Sequence, residues 1–373
     1  MYLVVLSKGL LSNKCILQWV NGIRIGDCRQ TLRYNEDGNI LYIASTLGII
    51  YNRNDVKQLY YRGHQNTLIS IDVNSTGKIA ATGELHDNPA IHVWDAKSGV
   101  PLCQFTDTHS QGVTSLAFSK DSHYLVSLGQ DSMHSIAIFF SPDGNWGHDS
   151  YHLCSTSVSS TKMLWCSYVD GNEFPIVVGG AGSIFFFRIV RSINEKLKGV
   201  FGKRVKIQPV VCAVSALQPT PLPTPPRPPT GGGERKADGV EIKSRNLDEE
   251  RELLCGTLSG HIYVFKKYKV INKISAHQGA VNVITATQSQ MYITGGKDGL
   301  VKVWTLDFRP HYTYRTQYFV PRPFALSVHA VVSNQLGSSL LVGMRGGEVF
   351  EISLPSNSHI LLIEVSQFLS LGE

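Results

Sequence analysis

The segment Ala276–Leu306, AHQGAVNVITATQSQMYITGGKDGLVKVWTL, constrains the fold more than any other part of the chain. Three short β-forming runs, Ala280 to Thr285, Met291 to Gly295 and Leu300 to Thr305, are separated by Gln288-Ser289-Gln290 and by Gly296-Lys297-Asp298-Gly299. An Asp-Gly pair between apolar runs is a strong hairpin signal, so the segment is predicted to be an antiparallel meander of short strands. One such meander cannot bury its own faces and needs copies beside it. The copies are present. Thr67 to Phe105 repeats the order (LISIDV, KIAATG, AIHVWDA, PLCQF), and a further set follows His109 (VTSLAFS, HYLVSLG, SIAIFF). His109 lies 45 residues after His64, a period that suits four strands per repeat.

Counting by that period gives seven repeats. Back from His64 it reaches Trp19, with strands drawn from residues 28 to 61 (ILYIAS, GIIYNRN, KQLYY). The 168 residues from His109 to His277 hold three periods once an insertion of about 30 residues is set aside. Ala325 to Ile352 (LSVHAVV, SLLVGM, GEVFEI) supplies the last. Seven blades close a ring and leave no sheet edge open to aggregation. The expectation is an all-β fold, a single seven-bladed propeller over residues 17–363, with 1–16 an N-terminal extension and 364–373 a C-terminal tail. With 373 residues, 42% hydrophobic and 17% charged, the chain has enough material for one large unit of this kind.

The repeats resemble WD repeats, and Trp94-Asp95 is the dipeptide for which those are named. The resemblance places an internal hydrogen-bond network on His277, Thr294, Asp298 and Trp304, with His64 and Trp94 at matching positions. Such a set is structural: a buried imidazole, hydroxyl, carboxylate and indole satisfy one another, since leaving one unpaired costs roughly 1–3 kcal/mol.

The insertion declares itself by composition. Gln218 to Gly233 reads QPTPLPTPPRPPTGGG, and the residues up to Glu252 are densely charged and poor in apolar side chains. Residues 218–252 are therefore expected to form a disordered loop between two strands of blade five, because they cannot bury enough surface to offset the entropy of ordering. Their PxxP pattern is of the kind that SH3 and WW grooves take, although a solvated spacer is the simpler reading.

Leu17 to Leu32, LQWVNGIRIGDCRQTL, resembles the hydrophobic motif at the head of the echinoderm microtubule-associated protein-like family. Trp19, Val20, Gly22, Arg24, Cys28, Arg29 and Leu32 match, while Ile25 stands where the family usually has Gly and Thr31 where it has Asn. Further landmarks follow in order: GIIYNRNDVKQLYYRGH, IHVWDAKSG, GVTSLAFSKD, GVFGK, SGHIYVFK and GGKDGLVKVWTLDF. The resemblance runs from Leu17 to Ile352. It implies two fused propellers in the whole family protein, with the motif packed at their junction, and association with tubulin or microtubules through the propeller surface. Met1 to Lys14 shows no heptads and nothing after Glu364 opens a second propeller, so the chain most resembles the opening unit of a longer protein.

Charge and strand phase suggest where a partner would sit. Arg191 to Lys198 is predicted to be the turn after the third strand of blade four, followed by Lys203, Arg204 and Lys206. Lys266, Lys267 and Lys269 fall at the equivalent turn of blade five. Equivalent turns of adjacent blades are neighbours, so Lys196, Lys198, Lys203, Arg204, Lys206, Lys266, Lys267 and Lys269 are expected to merge into one basic patch beside a single acid, Glu195. Tubulin's exposed surface and tails are acidic, and such a patch would steer them. A solvated, screened lysine face is the plainer alternative.

Other functions find little support. No apolar run approaches the ~20 residues of a membrane span. The N-terminus lacks the basic region and the small-residue cleavage site of a signal peptide, and Lys8 interrupts it. Seven cysteines without a CxxC pair suggest reduced thiols in a cytosolic setting. His152, Cys154 and Cys166 have irregular spacing for a metal, and Gly179-Gly180 and Gly346-Gly347 lack the strand-to-helix context of a phosphate loop. Phe185, Phe186, Phe187, Tyr60 and Tyr61 do not alternate with basic residues as in a nucleic-acid groove, and Glu348 and Glu351 are wrongly spaced for a paired acid and base. Neither an enzyme nor a cofactor is expected. Two readings stand: a microtubule-associated protein, cytoplasmic or in the axoneme of a cilium or flagellum, and a general adaptor that recruits a non-tubulin partner through its loops or Pro-rich insertion.

Overall fold

A computed structural model describes residues 3–9, 12–190, 192–203, 205–217, 251–319, 326–354 and 356–364. Among these residues, seven four-stranded antiparallel sheets follow one another along the chain, preceded by a two-stranded hairpin of Leu3–Gly9 with Ser12–Asn21. In every sheet the strands lie in sequence order. The first strands, Leu32–Tyr34, Leu68–Val73, Val113–Phe118, Met163–Tyr168, Val210–Ser215, Val281–Ala286 and Val328–Ser333, each neighbour the next, and the seventh returns to the first. The protein is a closed seven-bladed β-propeller.

Burial explains the strand order. Second and third strands are apolar and covered on both faces: Ile40–Ala44 is buried throughout, as are Ile176–Gly180 and Leu253–Thr257. Fourth strands form the rim and read as polar, for example Lys269–Ser275 and Pro310–Arg315. The core lies between blades. Leu125, Ala137 and Phe139 of blade three pack with Ile79, Ile91 and Val93 of blade two around the fully buried Trp146. Each such seam removes apolar side chains from water on both flanks, worth roughly 1.5–3 kcal/mol per large residue.

Residues 218–250 lie outside the described residues. They connect Val210–Ser215 to Leu253–Thr257, adjacent antiparallel strands in blade five that remain in register, Ser215 opposite Leu253. The blade thus closes on itself across the insertion point. Leu3–Gly9, in the stretch whose sequence does not fit a signal peptide, forms a strand. No helix of the described residues is long and apolar enough to cross a membrane.

One expectation fails in detail. Lys196 and Lys198 are not in a turn but on the rim strand Ser192–Lys198, opposite Phe187 and Phe185. The reason is packing: Leu197 on this strand joins Phe186 and Phe265 in the core between blades four and five.

Candidate interaction surfaces

The segment 17–32 is anchored to both the first and the last blade. Val20, Ile23 and Ile25 are buried in one cluster with Ile40 and Ile49 of blade one and Ala330, Leu341 and Val349 of blade seven. The hairpin is fastened to blade one through Gln58, whose side chain accepts from Val20 N–H at 2.9 Å and donates to Val20 O at 3.1 Å. The Trp19 indole donates to Asn21 Oδ1 at 2.7 Å and meets Tyr51 edge to face, centroids 5.6 Å apart. Gly22 follows with φ 127, a conformation that a side chain would disfavour. The loop beyond is tied to both ends of the ring. Arg24 N–H donates to Ile43 O at 2.9 Å in blade one, and Gln30 N–H donates to His329 O at 3.1 Å in blade seven. His329 Nδ1 donates to Ile25 O at 2.8 Å, and burial lowers the pKa of that imidazole.

The seam between the last and first blades carries a buried carboxylate as well. Glu351 of blade seven accepts from Tyr34 Oη at 3.1 Å and forms an ion pair with Arg53, both of blade one. Among the described residues no strand is shared between these two blades, so the segment 17–32 and this polar cluster join the first and last blades of the ring. A carboxylate left there without its partners would cost several kcal/mol.

Three blades carry a polar network at matching positions. In blade six, Trp304 Nε1 donates to Thr294 Oγ1 at 2.9 Å, Thr294 Oγ1 donates to His277 Nε2 at 2.7 Å, and His277 Nδ1 donates to Asp298 Oδ1 at 2.9 Å. That tautomer is the one that satisfies every atom. In blade two the relay runs from Trp94 to Thr82 at 3.0 Å, Thr82 to His64 at 2.7 Å and His64 to Glu84 at 2.8 Å. Blade three has His109 on Ser127 at 2.6 Å and on Ser135 at 3.0 Å, with Asp131 3.6 Å away, and Phe139 stands where the others have Trp.

Blade two differs instructively. In blades three and six the residue beneath the imidazole is Gly129 or Gly296, where an added Cβ would stand 2.4 or 2.3 Å from Nδ1 of the histidine. The carboxylate then comes from the following turn. Blade two has Glu84 in place of that glycine, and Glu84 itself supplies the carboxylate. Burial alone would raise the pKa of Glu84, but hydrogen bonds from His64, Asn66 and Ala90 N–H outweigh it and hold the group at about 2. His92 stacks on His64 with ring centroids 3.8 Å apart and bonds Tyr61 Oη at 2.6 Å through Nδ1. Although His64, Glu84 and His92 could converge on a metal ion, both nitrogens of His64 are already engaged, so the group reads as a structural network. Of these residues, Thr82, Glu84, His92, Ser127 and Asp131 escaped the sequence reading, which used His109 only to mark the start of a repeat. Overlaying Thr294-Gly-Gly on Thr82-Gly-Glu and Ser127-Leu-Gly would have found all but His92.

The lysines gather through a backbone contact. Val200 N–H donates to Tyr268 O at 2.7 Å and Val270 N–H donates to Val200 O at 2.9 Å, a parallel bridge between Val200 and Lys269. This stitches the segment bearing Lys196, Lys198 and Lys203 to the turn bearing Lys266, Lys267 and Lys269. Phe201, next in sequence, is buried against Phe265, which holds the connection in place. Lys198, Lys203, Lys206, Lys266, Lys267 and Lys269 are exposed; Arg204 lies outside the described residues. Lys196 is partly committed elsewhere: its ammonium stands 4.7 Å over the Phe185 ring and donates to Val158 O, and burial lowers its pKa. Glu195 faces Arg188, which also pairs with Glu173.

The centre of the ring holds a cavity of about 440 Å³ lined by the first strands of blades two to five on one side and by Arg24, Asp27, Cys28, Arg29, Gln30 and Arg33 on the other. Arg24 clasps Asp27 with both nitrogens, at 3.1 and 2.6 Å, and this contact lowers the Asp27 pKa. Arg33 bonds Asp72 at 2.9 Å. Burial pushes the Cys28 thiol up to about 12, so it is no ready nucleophile.

Comparison with known proteins agrees with this architecture. The family model described as "WD domain, G-beta repeat" matches residues 99–133 and 268–305. The chain is similar to the 77 kDa echinoderm microtubule-associated protein of Strongylocentrotus purpuratus, 25% identical over 80% of this chain and 40% of that one. It is also similar to echinoderm microtubule-associated protein-like 4 of Xenopus laevis (26% identical; 88% and 34% covered) and echinoderm microtubule-associated protein-like 2 of Mus musculus (23% identical; 95% and 50% covered). The chain thus spans half or less of the length of these relatives. Among solved structures, the β-propeller domain of Cps50 (Swd1) from Myceliophteria thermophila superposes with a TM-score of 0.56 at 13% identity, covering 80% of this chain and 87% of that one. The computationally designed Ika8 protein gives 0.56 at 14% identity, covering 91% and 88%. These two likenesses concern the fold alone.

Proposed function

We propose that this chain, a WD-repeat propeller of the echinoderm microtubule-associated protein-like family, is a non-enzymatic microtubule-associated protein that binds tubulin or the microtubule lattice. Its place of action on this reading is the cytoplasm and the microtubule cytoskeleton, including the axoneme of cilia or flagella. The observation that carries the reading is the relationship itself, 22–26% identity extending over 80–95% of the chain to proteins named for microtubule association. The lysines that the Val200 bridge draws together supply a contact surface of the required sign. Acidic partners approach such a surface faster and hold it more tightly at low salt.

The test is charge reversal at Lys266, Lys267 and Lys269 together, in co-sedimentation with stabilised microtubules. All three are exposed on or beside a rim turn, so the fold is expected to tolerate the change. Loss of most pelleting supports the reading. Pelleting that survives the triple reversal removes the patch from it. Deletion of 220–245 separates this function from an adaptor role, because only recruitment of a partner through the Pro-rich segment needs those residues.

A further inference from the structure

The central cavity holds more positive charge than its own residues answer. Four cations line it, Arg24, Arg29, Arg33 and Lys162, against two carboxylates, Asp27 and Asp72. Both carboxylates are already taken: Asp27 by Arg24, and Asp72 by Arg33 and by the Phe118 N–H at 2.9 Å. Among the described residues, the Arg29 guanidinium and the Lys162 ammonium have no hydrogen-bonding or ionic partner.

Arg29 is held in position by its neighbours. Gln30 N–H is bonded to His329 O, Val331 N–H donates to Gln30 Oε1 at 3.3 Å, and Ile25 O accepts from His329. These bonds fix the backbone of the loop from which the Arg29 side chain reaches the channel. Desolvation by the surrounding protein lowers the Arg29 pKa, while the residue keeps an exposed face. The thiols nearby, Cys28 and Cys212, are both pushed up to about 12 and stay neutral, so they offer it no counter-charge.

Lys162 precedes the first strand of blade four, nearly opposite blade seven, to which the Arg29 loop is tied. A single small anion would satisfy one of the two cations. An extended chain with several carboxylates satisfies both. Guanidinium takes carboxylate through two parallel hydrogen bonds, while the lysine serves as a point charge. A volume of about 440 Å³ falls within the range of ligand sites, and the walls supply apolar contacts from Leu116, Leu164 and Trp165.

We infer that the central channel is a binding site for an acidic peptide segment, anchored by Arg29 and Lys162. The inference stands on the channel alone. It needs neither tubulin nor the rim lysines.

The experiment titrates the full chain with fluorescent hexaglutamate by anisotropy at low salt, then couples peptide carboxylates to adjacent lysines with a carbodiimide and maps the linked lysine by mass spectrometry. Expected results are saturable binding, a link at Lys162, and affinity about tenfold weaker in Arg29→Gln, the worth of one charge-assisted contact. Arg29→Lys recovers part of it. Because Arg29 has no partner to lose, Arg29→Gln should unfold at the same urea concentration as the parent, which separates lost binding from lost structure. Reversal of Lys266, Lys267 and Lys269 should leave the Lys162 link intact. Links confined to rim lysines, or unchanged affinity in Arg29→Gln, overturn the inference. So does inorganic phosphate that binds in an Arg29-dependent manner when hexaglutamate does not, since that outcome marks a small-anion site.

Discussion

Replacing Thr82 by Val tests the polar networks against a quantitative expectation. The swap keeps shape and removes one hydroxyl. In blade two that hydroxyl serves two groups at once, accepting from Trp94 Nε1 at 3.0 Å and donating to His64 Nε2 at 2.7 Å. All three residues are buried, so neither orphaned nitrogen can turn to water. At roughly 1–3 kcal/mol for each of the two stranded groups, the loss comes to about 2–6 kcal/mol. Ser127→Ala in blade three is the internal comparison. There Phe139 replaces the tryptophan, and beside the His109 contact only a long 3.5 Å bond to Ala137 O is lost, so the cost should be about half. With a urea slope of about 3 kcal/mol per molar, midpoints should fall by about 1 M for Thr82→Val and by about 0.5 M for Ser127→Ala. A double-mutant cycle between Thr82→Val and Trp94→Phe should show coupling near 1 kcal/mol. Equal shifts in the two blades, or a cycle with no coupling, would refute the relay from indole to hydroxyl to imidazole.

The closure of the ring and its pH response give further expectations. Gly343→Ala puts a Cβ 2.4 Å from Ile25 Cδ1 and 2.8 Å from Leu32 Cδ1; overpacking should cost about 1–3 kcal/mol and speed amide exchange of Ile25 and Gln30 before other blades respond. Burial and the adjacent His64 depress the His92 pKa from 6.5 to about 4. The unfolded chain therefore binds the extra proton first, and stability should fall as pH drops from 6.5 to 4, by about 3 kcal/mol at most. His64, also depressed, acts in the same direction, and His92→Phe should flatten the slope measured by urea unfolding at several pH values.

The sequence already displayed the blade count, because a 45-residue period and the Asp298-Gly299 hairpin are local features that survive any packing. The relay of His277, Thr294, Asp298 and Trp304 was legible for the same reason, with all four residues inside one meander. What stayed hidden depends on contacts distant in the chain. Glu351 reads as an ordinary strand glutamate until Tyr34 and Arg53, some 300 residues earlier, are set beside it. Gln58 gives no sign in sequence that it fastens Val20. Glu84 was missed because it occupies a glycine's position and so breaks the pattern that marks the other blades. Lys196 and Lys198 were placed in a turn because the charge of the segment outweighed its two apolar residues, Ile193 and Leu197, in a rim strand. Arg29 was recognised only as part of a motif; that it enters the channel follows from the anchoring of Gln30 and Ile25 by His329, a contact across the ring closure.

The most direct test of the functional account is co-sedimentation of the purified chain with stabilised microtubules, with soluble tubulin alongside, from about 50 to 200 mM salt, where screening shortens to below 10 Å at the upper end. The account predicts pelleting at the low end that fades as salt rises. A chain that stays in the supernatant at the lowest salt and ignores soluble tubulin would contradict it.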